Sequence, residues 1–143
     1  MQIESTRFGP FDVEADRALT FHEKLLGFPN SSTYVIIEIE DTPYVWLQSA
    51  DEPDVAFLAT SPFPFFPSYE LELPAETETA LAIGDPSQVE ILTLLTVQDR
   101  GGDGEHITAN LLGPIVINVE TRRAMQVVLD SEHRYSTRTP LVA

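Results

Sequence analysis

The nine residues VEILTLLTV, 89–97, decide the fold. Taken with a period of two they place apolar side chains on both faces: Val89, Ile91, Leu95 and Val97 on one, Leu92 and Leu94 on the other. A strand that is apolar on both faces is covered on both, so the stretch predicts a central strand with protein on either side.

Working outward, alternation or β-branched enrichment recurs in 2–6, 11–13, 34–40, 44–48, 55–59, 69–73, 111–119 and 126–129, the spacing of a meandering β domain. In YELEL, 69–73, the alternation is strict: Tyr69, Leu71 and Leu73 share a face and Glu70 and Glu72 the other, which predicts a half-buried strand. Eleven prolines interrupt helices repeatedly, and GFPNSST (27–33), DEPD (51–54) and DRGGDG (99–104) supply turns. One short helix is expected in PAETETALAIGD, opened by Pro74, favoured by Glu76 and Glu78 near its start and closed by Gly84. The fold class is mainly all-β: one compact β-barrel-like domain over residues 1–143 with one short helix.

The charge is lopsided. Residues 1–119 carry 20 acidic side chains against 4 basic, whereas 120–143 carry 3 against 4, giving a net charge of -15. Such a field repels phosphate backbones, which argues against direct nucleic-acid binding, and it steers basic partners inward. It also suits a monomer. No apolar run approaches a membrane span, and the start MQIESTRFG has neither a basic n-region nor an apolar h-region, so the expected location is the cytoplasm.

The chemistry of catalysis is sparse. The absence of Cys removes disulfides, thiolate nucleophiles and cysteine-based zinc sites together. There is no Gly-x-Ser-x-Gly, no P-loop and no dinucleotide fingerprint. Acid/base or metal chemistry would have to gather His22 and Glu23 with Asp99, Asp103, Glu105 and His106; the competing reading, a small metal-dependent hydrolase, uses His22, Asp103 and His106, a spacing that matches no metal motif. DRGGDGEH reads instead as a solvated hairpin connection. The expectation is a protein that is not an enzyme and carries no cofactor or metal.

Binding is the better reading. In SPFPFFPSY, 61–69, the prolines withhold backbone donors and hold the chain extended, and alternation cannot then bury Phe63, Phe65 and Phe66 together. Phe63 and Phe65 are therefore candidate anchors of an apolar groove that receives a partner helix. Asp51, Glu52 and Asp54 form an exposed acidic turn expected to attract a basic partner with little bearing on the fold. TANLLGPIVIN, 108–118, is apolar between two asparagines and broken at Gly113-Pro114; its polar frame is expected to hold a chain corner, with Asn110 a candidate polar contact for a partner.

These motifs resemble the flagellar assembly factor FliW family across nearly the whole chain: RFGPFDVEAD (7–16), LLGF (25–28), PYVWLQSADEPDVAFLATSPFPFFPSYELEL (43–73), TANLLGPIVIN, and RRAMQVVL (122–129) followed by Tyr135. The family usually reads Phe-Pro-x-Gly shortly before its Gly-Phe pair, where this chain has Phe21, His22, Glu23 and Lys24. The resemblance implies a small β-barrel-like cytoplasmic protein without catalytic activity. It implies two partners, flagellin and the translational regulator CsrA, a basic RNA-binding dimer that represses flagellin synthesis. Plentiful flagellin occupies the assembly factor and leaves CsrA free to repress; export of flagellin releases it to capture CsrA.

Overall fold

The computed structural model describes residues 1–25, 27–99, 105–129 and 134–141. Its strands are β1 (Gln2–Ile3), β2 (Phe11–Asp12), β3 (Ala18–Phe21), β4 (Thr33–Glu38), β5 (Tyr44–Ser49), β6 (Ala56–Thr60), β7 (Val89–Asp99), β8 (Glu105–Ala109), β9 (Ile115–Asn118), β10 (Arg123–Gln126) and β11 (Thr139–Pro140); the helix α1 spans Ala75–Ala80. Strands β3 to β7 pair antiparallel in chain order. β9 pairs antiparallel with both β7 and β10, and β10 meets β3 in parallel, so β3, β4, β5, β6, β7, β9 and β10 close a seven-stranded barrel. Closure gives every strand of the ring a partner on each side and removes the edges that would otherwise invite foreign strands.

The double-faced reading holds for residues 89–95, and the reason is visible in two cores; Val97, where β7 runs beyond the barrel, stands 44% exposed. Inside the barrel, Leu92 packs with Leu19, Tyr34, Leu47, Ile115 and Ile117. Outside it, Ile91 and Val116 pack with Tyr69, Leu81, Leu111, Val127 and Leu129. β7 and β9 thus form the wall shared by both cores, which is why IVIN is buried throughout.

β7 outruns the barrel and carries β8 beside its second half, where Leu95 faces Ala109, while in its first half Leu92 faces Ile115. Three steps along β7 therefore correspond to six on the opposing chain, and residues 110–114 bulge outward. The bulge is the expected corner. Asn110 holds it, its Oδ1 accepting from the Gly113 N–H at 2.8 Å while its own N–H reaches the Leu94 carbonyl at 2.9 Å. Gln126 Nε2 donates to the Gly113 carbonyl at 2.9 Å, and a Cβ at Gly113 would stand 2.9 Å from that same Nε2, so a side chain there would push the Gln126 amide from its bond. Thr108 lies in the β8 ladder opposite Thr96 and Pro140.

Several expectations change. YELEL forms no ladder: Tyr69 is buried and Leu71 and Leu73 half-buried, with both glutamates outward as predicted, but the segment runs extended beside the barrel. Alternation reports burial on one side and not hydrogen bonding along the edge. The run predicted at 126–129 begins earlier, as β10, and leaves the ladder after Gln126. Strands β3, β8 and β11 were not expected, being short or set among polar residues. Gly84 does not end the helix: Ala82 takes the left-handed conformation at φ 56° and Ile83 N–H closes on the Glu78 carbonyl at 2.8 Å. Gly27 takes the left-handed conformation at φ 87° just before Phe28, whose N–H closes on the Leu25 carbonyl at 2.9 Å. The pairing of Asp99 with Glu105 is that of a hairpin, and residues 100–104 lie outside the described residues.

Two buried tyrosines tie stability to alkaline pH. The Tyr69 hydroxyl donates to the Leu111 carbonyl at 2.6 Å, and burial pushes its pKa upward. Tyr34 is wholly buried and its hydroxyl finds no partner; burial again raises its pKa, with the nearby Glu52 and Asp51 carboxylates adding to the rise and Ser31 opposing it. A phenol whose folded pKa lies above its unfolded value favours folding only while protonated, so its contribution is whole below pH ~10 and is lost as pH climbs beyond that. The melting temperature should be level up to about pH 9.5 and fall above about pH 10. Tyr69→Phe should start lower near neutrality, having lost the Leu111 bond, and fall less steeply; a melting temperature unchanged to pH 12 would contradict this, pH 12 being about two units beyond a free phenol's pKa.

Candidate functional site: an apolar groove beside the barrel

The groove is built from three segments that follow strand or helix ends. After β6 the prolines of residues 61–69 make turns, not an extended run: Phe65 and Phe66 N–H both donate to the Pro62 carbonyl, at 3.1 and 2.8 Å, and Tyr69 N–H donates to Phe66 at 2.9 Å. Turning sends the three rings to three places. Phe63 stands 42% exposed with its ring 6.0 Å from Tyr69. Phe65 is half-buried and stacks on Tyr44 at 6.3 Å. Phe66 packs against the outer core.

Phe63 lines an open groove of about 590 Å³ together with Leu71, Leu73, Ile83, Val89 and Ile91. Its rim carries Glu78, Asp85 and Glu90 and no basic residue among the described lining. The floor is apolar because it includes the outward face of β7, and the rim is acidic because α1, the turn that follows it and β7 each bring a carboxylate there, Glu78, Asp85 and Glu90. Asp85 accepts from Ser87 N–H at 2.9 Å, and that bond holds its carboxyl below the usual range, so the charge persists into mild acid. Gln88 completes the turn, accepting from Gly84 and Asp85 N–H at 2.7 and 2.9 Å and donating to Glu120.

Of the residues singled out by the sequence, only Phe63 reaches this groove. Phe65 belongs to the barrel flank and Asn110 to the corner. Asp51, Glu52 and Asp54 join β5 to β6, at the opposite end of β6 from Ser61 and Phe63. Nor is that turn merely solvated. Asp51 Oδ2 accepts from Ser32 and Thr33 N–H at 2.8 and 3.1 Å, and Glu52 accepts from Ser31, whose hydroxyl lies 2.7 Å from that of buried Ser49. The Ser49 hydroxyl in turn receives the N–H of both Asp51 and Glu52, at 3.0 and 2.9 Å. The expectation that these acids matter little to the fold therefore gives way for Asp51 and Glu52, since charged acceptors hold the entry of β4. Asp51→Asn should cost about 1 kcal/mol in urea unfolding, against less than ~0.5 for exposed Asp54→Asn.

The residues that the sequence reading missed are the rim acids. Glu78 reads only as favouring the start of the helix and Glu90 only as part of a strand, and no local signal in the sequence ties either to Phe63. For the hydrolase reading, His22 is exposed with its N–H on the Ala124 carbonyl, whereas Asp103 and the His106 side chain lie outside the described residues. Among the described residues no three of His, Cys, Asp or Glu come together as metal ligands would. No helix among them is long and apolar enough to cross a membrane.

Comparison with known proteins follows the same outline. The family described as FliW protein matches residues 2–141. The flagellar assembly factor FliW of Moorella thermoacetica is 38% identical over 142 residues, covering 99% of this chain and 88% of its own. That of Magnetococcus marinus is 37% identical over 143 residues, covering 99% and 85%, and that of Treponema pallidum 34% over 143 residues, covering 100% and 93%. A crystal structure of the flagellar assembly factor FliW superposes with a TM-score of 0.89 at 33% identity, over 100% of this chain and 98% of the other.

Proposed function

The chain belongs to the FliW protein family, and on that premise we propose that it is a non-catalytic flagellar assembly factor of the cytoplasm that binds flagellin and, in its absence, captures a CsrA-type translational regulator. The observation that carries this reading is the groove at Phe63: an exposed ring over an aliphatic floor, rimmed by carboxylates alone among its described charged residues. That chemistry fits an amphipathic segment whose apolar stripe meets Phe63, Leu71 and Leu73 while cations on its flanks meet Glu78 and Asp85. A net charge of -15 supplies the long-range attraction for a basic regulator.

Titration of the purified protein with flagellin and with a CsrA-type regulator, separately and in competition, tests the proposal. Both should bind, and excess flagellin should displace the regulator. Association with the regulator should slow roughly tenfold or more between about 0.05 and 0.5 M salt, and Glu78→Gln with Asp85→Asn should slow it severalfold at low salt only. Failure of both partners to bind at micromolar concentration would overturn the reading; salt-insensitive association would leave the charge a matter of solubility.

A further inference from the structure

One end of the barrel is open. There β3, β5, β7 and β10 begin and β4, β6 and β9 end, and the cavity between them has a volume of about 390 Å³. Its floor is interior barrel wall: Ile36, Val45 and Leu92 share inward faces with Tyr34, Leu47 and Leu94 by strand alternation. One layer deeper Tyr34 and Leu47 are wholly buried, but Ile36 and Val45 are only half-buried, so apolar wall is left facing water at this end.

Alternation carries the same inward faces outward to Glu38 on β4 and Glu90 on β7, both exposed at the mouth. The same cavity is lined by Arg122, which precedes β10 and has its backbone in the left-handed region at φ 61°. Arg122 Nη2 donates to the Arg17 carbonyl at 2.9 Å, and its Nε is buried without an acceptor. That Nε is out of a ligand's reach, but Arg122 lines the cavity together with Arg17 and Asp16, and the rest of its guanidinium can receive an anionic oxygen there. Charges of both signs thus surround a small cavity with an aliphatic floor, and the mouths of barrels are common places for small ligands.

We propose that this mouth binds a free α-amino acid with a branched aliphatic side chain, its ammonium group between Glu38 and Glu90, its carboxylate at Arg122 and its side chain on Ile36, Val45 and Leu92. The site is separate from partner binding: only Glu90 also borders the Phe63 groove. Two charge-assisted contacts to a small ligand correspond to a dissociation constant on the order of 1 mM.

The test is an amide-resolved NMR titration of the full chain with L-leucine. The signals of Glu38, Glu90 and Arg122 should shift in a saturable way near 1 mM, the affinity expected on the order of two such contacts. Leucinamide, which lacks the carboxylate, and N-acetyl-leucine, which lacks the ammonium group, should each bind at least about tenfold more weakly. Glu38→Gln and Glu90→Gln, exposed and isosteric, should keep the wild-type melting temperature and lose binding by roughly the same factor. No shift at these residues by about 20 mM L-leucine, where a millimolar site would be nearly saturated, overturns the proposal. So does equal binding of either single-charge analogue, which would reduce the mouth to a solvated charged rim. If both Gln variants unfold, the analogues tested on wild-type protein still decide.

Discussion

Replacing Asn118 with alanine is expected to lower the free energy of unfolding by about 3 kcal/mol. Asn118 is the last residue of β9 and is wholly buried. Its Nδ2 donates to the Leu81 and Ala82 carbonyls at 2.8 and 3.2 Å, so it ties the end of α1 to the barrel. Its Oδ1 accepts from Glu120 and Thr121 N–H at 2.9 and 3.3 Å and forms the turn into β10. Alanine leaves the Leu81 carbonyl with only Thr121 Oγ1 at 3.4 Å, and each buried backbone group that loses its partner costs about 1–3 kcal/mol. Denaturant unfolding followed by tyrosine and tryptophan fluorescence measures the loss. Asn118→Asp should lose nearly as much, because its carboxylate keeps the two acceptor bonds and has nothing to donate to the carbonyls. A loss below about 1 kcal/mol for both variants would mean that the helix end is held by packing of Leu81 and not by this amide.

Phe63→Ala is expected to weaken binding by roughly thirtyfold, about 2 kcal/mol, with unfolding little changed. The separation of the two readouts follows from burial. Phe63 is 42% exposed, so truncation removes little from the core, whereas a ring that becomes covered in an interface contributes most of its burial on binding. Phe65→Ala should behave in the opposite way, losing its stack on Tyr44 and about 1–2 kcal/mol of stability while binding is preserved. The pair is therefore a control on itself. Equal binding by Phe63→Ala and wild type would place the partner surface elsewhere on the protein; a large stability loss from Phe63→Ala would make the ring part of the fold.

The reversal between Phe63 and Phe65 shows where local reading stops. Three phenylalanines among three prolines announce that some ring must leave the core, but the choice depends on turns closed by the Pro62 carbonyl, and nothing in the hydropathy of residues 61–69 distinguishes turns from an extended run. The DEPD acids fail for a related reason. Composition marks Asp51 and Glu52 as charged and therefore solvated, while their partners Ser32, Thr33 and Ser31 lie about twenty residues away, brought near only by β4–β5 pairing.

By itself the sequence determined the class of this protein. Apolar residues on both faces of 89–97 require cover on both sides, alternation in the neighbouring runs requires β structure, and the motifs that resemble FliW specify the family, because each depends on side-chain type at nearby positions. The tertiary structure decided closure and site. Whether β10 returns to β3 in parallel, whether YELEL joins a ladder or lies beside one, and which acids border Phe63 are outcomes of long-range pairing, in which residues such as Glu78 and Glu90 become neighbours through the path of the chain around the barrel. Hydrophobic pattern specifies which face a residue turns inward; it contains no term for which distant strand will stand beside it.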